Sequence, residues 1–198
     1  MRGCNPPIRP RQPLSPAHPH RPAMAGEGEV HLLVAALRGG TLEERHHAED
    51  RLEEMGEPAV EPLIRALRDE RIPDFRWYAA RSLARIGAPA VEPLVRALRE
   101  EKDRETRRYL AAALGEMGEP AVEALVALLA APEPELRGFA SLALCRAGRT
   151  AVEALRGAME GDDQLLATCA ALTLARIGEP SAEEALRHLG ETGGGEKD

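Results

Sequence analysis

The side chains able to do chemistry in this chain are few and widely spaced. His46 and His47 are adjacent. On a helix, neighbouring side chains point about 100° apart, so the two cannot chelate one ion together. His46 and Asp50 lie four residues apart and would supply at most one weak pair of ligands. The chain contains no H-E-x-x-H, no zinc spacing and no phosphate-cradling G-x-x-x-x-G-K-[ST] segment. The three cysteines, Cys4, Cys145 and Cys169, include no C-x-x-C, and an odd count gives no disulfide framework. Cys145 and Cys169 sit in Ala/Leu-rich stretches, where a free thiol behaves as a small buried apolar residue in a reducing, cytoplasmic setting. The alternative is a reactive pair. Ser82 and Ser141 fall inside helical patterns and read as structural. No catalytic, cofactor-binding or metal-ligating set is therefore expected. The candidate binding residues are Arg65, Arg68, Arg96, Arg99 and Trp77, and their reading depends on the elements that carry them.

Those elements come from a repeat. GEPAVEPLIRAL begins at Gly56, GAPAVEPLVRAL at Gly87, GEPAVEALVALL at Gly118, GRTAVEALRGAM at Gly148 and GEPSAEEALRHL at Gly178, at spacings of 31, 31, 30 and 30 residues. Before each Gly lies an apolar set at helical spacing, and the position four residues back is always Leu: Leu52, Leu83, Leu114, Leu144 and Leu174. The Gly should end a first helix in a left-handed conformation. Pro58, Pro89, Pro120 and Pro180 then suit the opening turn of a second helix. Pro62 and Pro93 are expected to be tolerated early in their helices, where amides lack partners anyway. Val60, Leu63, Ile64 and Leu67 form one buried stripe, and Val91, Leu94, Val95 and Leu98 repeat it. Residues 29–38 read as a preceding half-unit.

Each unit is thus a helix–turn–helix that cannot bury its own stripe, so neighbours must stack. The expected fold is all-α: an α-solenoid of about five repeats of 30–31 residues and about eleven helices over residues 24–190, right-handed or gently curved. Ala79, Ala80, Ala111, Ala112, Ala140 and Ala171 should let helices approach closely. Gly115, Gly138 and Gly157 fall inside helices and should mark close contacts or bends.

Composition agrees. The 198 residues are 43% hydrophobic but only 3% aromatic, so the core must be Ala, Leu and Val. No run of 18 apolar residues exists, which excludes a transmembrane helix. Residues 1–23 hold seven Pro and four Arg and no acid. They are expected to be disordered or polyproline-like. They are either a leader that is not translated, with Met24 the natural start, or a genuine tail for a polyproline-binding groove. The whole chain carries −7, so the remainder carries −11. An acidic body argues against nucleic acid and against an anionic membrane. Residues 191–198 read as a flexible tail.

The segments G-x-P-A-V-E-x-L, with an acidic-x-Arg pair entering each first helix, resemble the HEAT-like repeats of the phycobilisome-lyase type over residues 42–190. The pairs are Glu43/Arg45, Asp74/Arg76, Glu105/Arg107 and Glu135/Arg137; the fifth unit has Leu165 and Ala167 instead. They read as charge ladders between stacked units and as caps of helix starts. The resemblance implies a solenoid whose second helices line an inner face. On that face stand Glu61, Glu92, Glu123, Glu153 and Glu183, one per unit. Glu61–Arg65, Glu92–Arg96 and Glu183–Arg187 should pair within their helices. Arg65, Arg68, Arg96 and Arg99 would make an Arg-rich half of a groove, and Ala127, Ala130 and Gly157 its small-residue centre. An acidic segment of another protein would suit it.

Trp77 shares its column with His46, Arg108, Gly138 and Thr168, so it should face the surface, either stacked against its own neighbours or as an interface anchor flanked by Arg76 and Arg81. Leu142 and Leu172 should form an exposed apolar patch on the outer face, or the apolar stretch 165–175 should pack under the C-terminal tail or against a second chain. The expected function is a non-catalytic protein-interaction scaffold. The alternative is an enzyme or enzyme subunit related to bilin lyases or to HEAT-like iron hydroxylases, although no His-Glu dipeptide of the latter occurs. A third reading is an oligomer assembled through open solenoid ends.

Overall fold

The computed structural model describes residues 27–178, and among them every regular element is helical. The ten α-helices are α1 (Glu27–Gly39), α2 (Leu42–Met55), α3 (Glu57–Asp69), α4 (Pro73–Ile86), α5 (Val91–Glu100), α6 (Arg104–Met117), α7 (Glu119–Leu128), α8 (Pro134–Ala147), α9 (Val152–Met159) and α10 (Gln164–Ile177). The expected leader, the expected second helix of the fifth unit with Pro180, Glu183 and Arg187, and the expected tail lie outside the described residues.

Helices α2, α4, α6, α8 and α10 stack as one column, and α3, α5, α7 and α9 as a second. Helix α1 packs on α2, α3 and α4, as the preceding half-unit should. The five leucines four residues before the repeat glycines are all fully buried. So are Leu63, Leu67, Leu94, Leu98, Leu125 and Leu155 of the second helices. The core is one continuous seam of Leu, Ala and Val in which each repeat supplies the neighbour's wall.

One glycine joins the two helices of a unit, ending the first and preceding the second. All five have positive φ, from 65° to 88°. Only Gly178 is left-handed helical, at φ 88° and ψ 27°. Gly56, Gly87, Gly118 and Gly148 instead combine φ of 65–75° with ψ between −128° and −137°. That region is nearly closed to any residue with a Cβ, so the requirement for Gly is stricter than a left-handed cap would impose.

Helix starts follow familiar chemistry. Thr41 and Glu44 form a capping box on α2. Asp103 caps α6 by accepting from the Thr106 amide, and Asp163 caps α10 by accepting from the Leu165 and Leu166 amides. Pro62 is the sixth residue of α3, two beyond its four orphan amides, yet the helix continues through it. In the next unit a 3₁₀ turn, Ala88–Ala90, takes up the opening, so Pro93 falls within the first turn of α5.

Of the helix glycines, only Gly115 marks a close contact: a Cβ there would meet the Ala143 carbonyl oxygen at 2.7 Å. Gly138 and Gly157 have open space instead.

Candidate functional site

The acidic-x-Arg column is an inter-repeat clamp. Its arginines reach the C-terminal end of the preceding helix rather than capping helix starts. Arg76 Nε donates to the Glu70 carbonyl at 2.5 Å, Arg107 Nε to Glu101 at 2.7 Å and Arg137 Nη1 to Ala131 at 2.9 Å. A cation there satisfies orphan carbonyls and the helix dipole. The same guanidinium then meets acids of the next unit. Arg76 lies 3.7 Å from Glu105, and Arg107 lies 2.9 Å from Glu135 and 2.5 Å from Glu133. Both arginines are buried to 1% exposure. Glu133 holds the Arg107 pKa above the ordinary value, and Arg107 holds Glu133 below it. The ladder expected from sequence is present at Arg76 and Arg107, whereas Arg45 reaches the Arg38 carbonyl at 3.5 Å and the Tyr78 ring and meets no acid of the next unit among the described residues. The ladder stops at Arg137, which turns to the Ala131 and Pro132 carbonyls: the fifth unit has Leu165 in the place of Glu135, and Asp163, in the place of Glu133, caps α10.

A second ladder runs along the other column. Arg96 of α5 pairs with Glu61 of α3, one repeat back, instead of with Glu92 on its own helix. Arg68 of α3 reaches forward to the Ala97 carbonyl at 3.2 Å and to Glu100 and Glu101, each at 3.4 Å. Two of the four candidate arginines are therefore engaged within the chain. Arg65 and Arg99 are exposed, with no carboxylate partner among the described residues.

This ladder breaks between α5 and α7. Counting from the repeat glycines, Glu92 repeats Glu61 and Arg99 repeats Arg68. The positions that should answer them, equivalent to Arg96, Glu100 and Glu101, are Ala127, Ala131 and Pro132. What remains is a hollow of about 570 Å³ lined by Glu92, Val95, Arg96, Arg99, Glu100, Ala124 and Ala127. Its floor is small and apolar. Its rim holds Glu92 and Arg99, both exposed and without an ion-pair partner among the described residues.

Trp77 lies on the first-helix column, apart from the four arginines. It is 47% exposed, makes an edge-on contact with Tyr78 at 4.9 Å, and carries the Arg81 guanidinium 4.6 Å from its ring. Arg76 does not flank it, being buried toward α6. Arg81 also grips the fully buried Glu49 of α2 with Nε and Nη2, a bidentate pair the sequence reading missed. The hollow beside Trp77, of about 230 Å³, is rimmed by Arg81, Arg108, Glu116 and Arg146. Each cation there already has an acid: Arg108 has Glu105 at 3.3 Å and Arg146 has Glu116 at 2.6 Å.

Leu142 and Leu172 are each 50% exposed. Cys145 and Cys169 are half-buried rather than buried, since α8 and α10 present them at the edge of the seam. Burial still pushes the Cys145 thiol pKa up, away from a nucleophilic thiolate. Among the described residues no three His, Cys, Asp or Glu side chains converge on a metal-sized site. No helix among them is long and apolar enough to cross a membrane.

The sequence profile of the HEAT repeats matches residues 30–115, 60–134 and 122–194. The chain belongs to the HEAT-repeat family. The profile covers the stacked units with α1 included, so the glycine-punctuated pairs described above are HEAT repeats. No curated protein sequence matches this HEAT-repeat chain. Among solved structures that do is a de novo designed 16-helix transmembrane nanopore, 18% identical, with 83% of this chain aligned to 54% of that one at a TM-score of 0.24. The chain spans about half the length of that protein. So loose a superposition bears on neither fold nor function.

Proposed function

We propose that this HEAT-repeat chain is a non-catalytic, cytoplasmic protein–protein interaction scaffold whose docking site is the hollow between α5 and α7. HEAT repeats commonly serve as interaction scaffolds. The observation that carries the choice of site is the broken ladder. Glu92 and Arg99 stand over an alanine floor with the partners their register calls for replaced by Ala127, Ala131 and Pro132. A partner that supplies those charges gains ion pairs at the positions where α3 and α5 already make them, without displacing any existing pair. The hollow at Trp77 lacks this property, because its cations are already matched. Within the family, the G-x-P-A-V-E-x-L segments favour the phycobilisome-lyase type of repeat; the reading as a scaffold needs no lyase chemistry.

Arg99 and Arg65 are the exposed cations of this face without a carboxylate partner among the described residues, Arg96 closes the rim from its pair with Glu61, and Trp77 would be at most a second, separate contact. The test is an affinity pull-down from lysate of the source cells with the native chain, an R99E variant and a W77A variant, read by mass spectrometry. A partner retained by W77A and lost by R99E supports the site. A partner lost only with W77A moves the interaction to the first-helix face.

A further inference from the structure

We infer that the segment seated between α5 and α7 is an α-helix carrying a basic residue and, one turn later, an acidic one, which meet Glu92 and Arg99. The inference rests on the reading of that hollow as the docking site and adds the chemistry of its occupant.

The chain contains the template. Helix α3 offers its neighbour a carboxylate at Glu61 and a cation at Arg68, seven residues apart. Helix α5 answers with Arg96 and Glu100, four residues apart. The offer spans about 10.5 Å along α3 and the answer about 6 Å along α5, the rest being made up by the long side chains. Helix α5 then makes the same offer in the same register through Glu92 and Arg99. Helix α7 leaves it unanswered, and the exposed Ala127 stands where a second Arg96 would be.

The charges also fix what does not fit. A uniformly acidic segment would satisfy Arg99 but set a like charge against Glu92 and beside Glu100. A uniformly basic one would do the reverse at Arg99 and Arg96. Only a mixed pair complements both ends, and in a helix parallel to α5, as α5 lies along α3, the basic residue comes first. Small side chains on the floor allow the close approach that helix packing needs. The complement is thus a polar code laid over a shallow apolar seat, which suits a reversible partner more than an obligate one.

The test is a display library in which a rigid three-helix scaffold presents one helix with Arg, Glu or Ala at each outward position. It is selected against the native chain, against A127R, and against the double variant E92R/R99E. All three proteins are first checked for native helicity by circular dichroism. The native chain should enrich helices with a basic residue followed four residues on by an acidic one. E92R/R99E should enrich the reverse order, and native-selected helices should bind it about tenfold or more weaker. Helices that need Ala127 but show no charge order, or acids alone, overturn this inference and leave the docking site standing. Enriched helices indifferent to A127R overturn the docking site itself. Enrichment lost because native copies associate through this face, with A127R monomeric by sedimentation, would identify a second copy as the occupant and overturn the inference too.

Discussion

Arg96 extends its guanidinium to Glu61 of the preceding repeat, although Glu92 lies four residues before it on its own helix. Stacking therefore outcompetes the local pair. A pair within one helix joins residues that the helix already holds together, whereas a pair across repeats adds a contact between helices. Both partners are more than half exposed, so the gain is small, typically below about 1 kcal/mol. E61Q should accordingly lower stability by less than about 1 kcal/mol in urea unfolding. A loss above about 2 kcal/mol would show that the ladder holds the fold together, which would make its absence at α7 costly rather than permissive.

The buried clamp should behave differently. Arg107 is 1% exposed and satisfies the Glu101 carbonyl, Glu133 and Glu135 together. R107A leaves a helix end and two carboxylates without their cation and should cost about 2–4 kcal/mol. R137A removes hydrogen bonds to carbonyls alone and should cost about 1 kcal/mol. Equal losses in chemical unfolding would contradict the clamp.

Much of this architecture is legible in the sequence, and the reason is chemical punctuation. The repeat glycines occupy a conformation that other residues avoid, and the leucine four positions earlier is always in the seam. The column of Arg45, Arg76, Arg107 and Arg137 was visible too. Its target was not, because the acceptor is a backbone carbonyl of the preceding helix and carbonyls carry no sequence signature. Arg96–Glu61 was missed because a 35-residue separation becomes a contact only after stacking. The same holds for Arg81 and Glu49. The break at Ala127 was present in the aligned columns, and its meaning depended on knowing which columns face each other.

Helix glycines supply a matched pair. A Cβ at Gly115 would lie 2.7 Å from the Ala143 carbonyl oxygen and 3.0 Å from the Ala143 Cα, so G115A must push α6 from α8. It should destabilise by about 1–3 kcal/mol. G138A meets nothing within 4 Å and sits in a helix, so it should stabilise by about 0.5–1 kcal/mol. Thermal melts of the two variants should move in opposite directions.

Acid sensitivity should concentrate at the entrance of α6. The Thr106 hydroxyl and amide donate to Asp103, and Arg71 pairs with it at 2.8 Å, which together hold its pKa down from 3.8 to about 2. A folded-state pKa below the unfolded one means that the carboxylate stabilises the fold above pH 4 and that this stability is lost as pH falls toward 2. Glu133, held low by Arg107, adds to the same trend. D103N keeps a capping oxygen but not the charge, so its urea midpoint should fall less steeply than that of the native chain between pH 5 and pH 2. Parallel curves would remove Asp103 from the acid response.

We propose the unanswered ladder between α5 and α7 as the place where a partner docks. The most direct measurement is the pull-down repeated with A127R, which restores the missing rung by giving Glu92 an arginine and fills the seat. Arginine is a good helix former and position 127 is exposed, so stability should stay within about 0.5 kcal/mol of native. Docking at this site requires that a folded A127R chain no longer retain the partner held by the native chain. A folded A127R chain that retains the partner undiminished would contradict it.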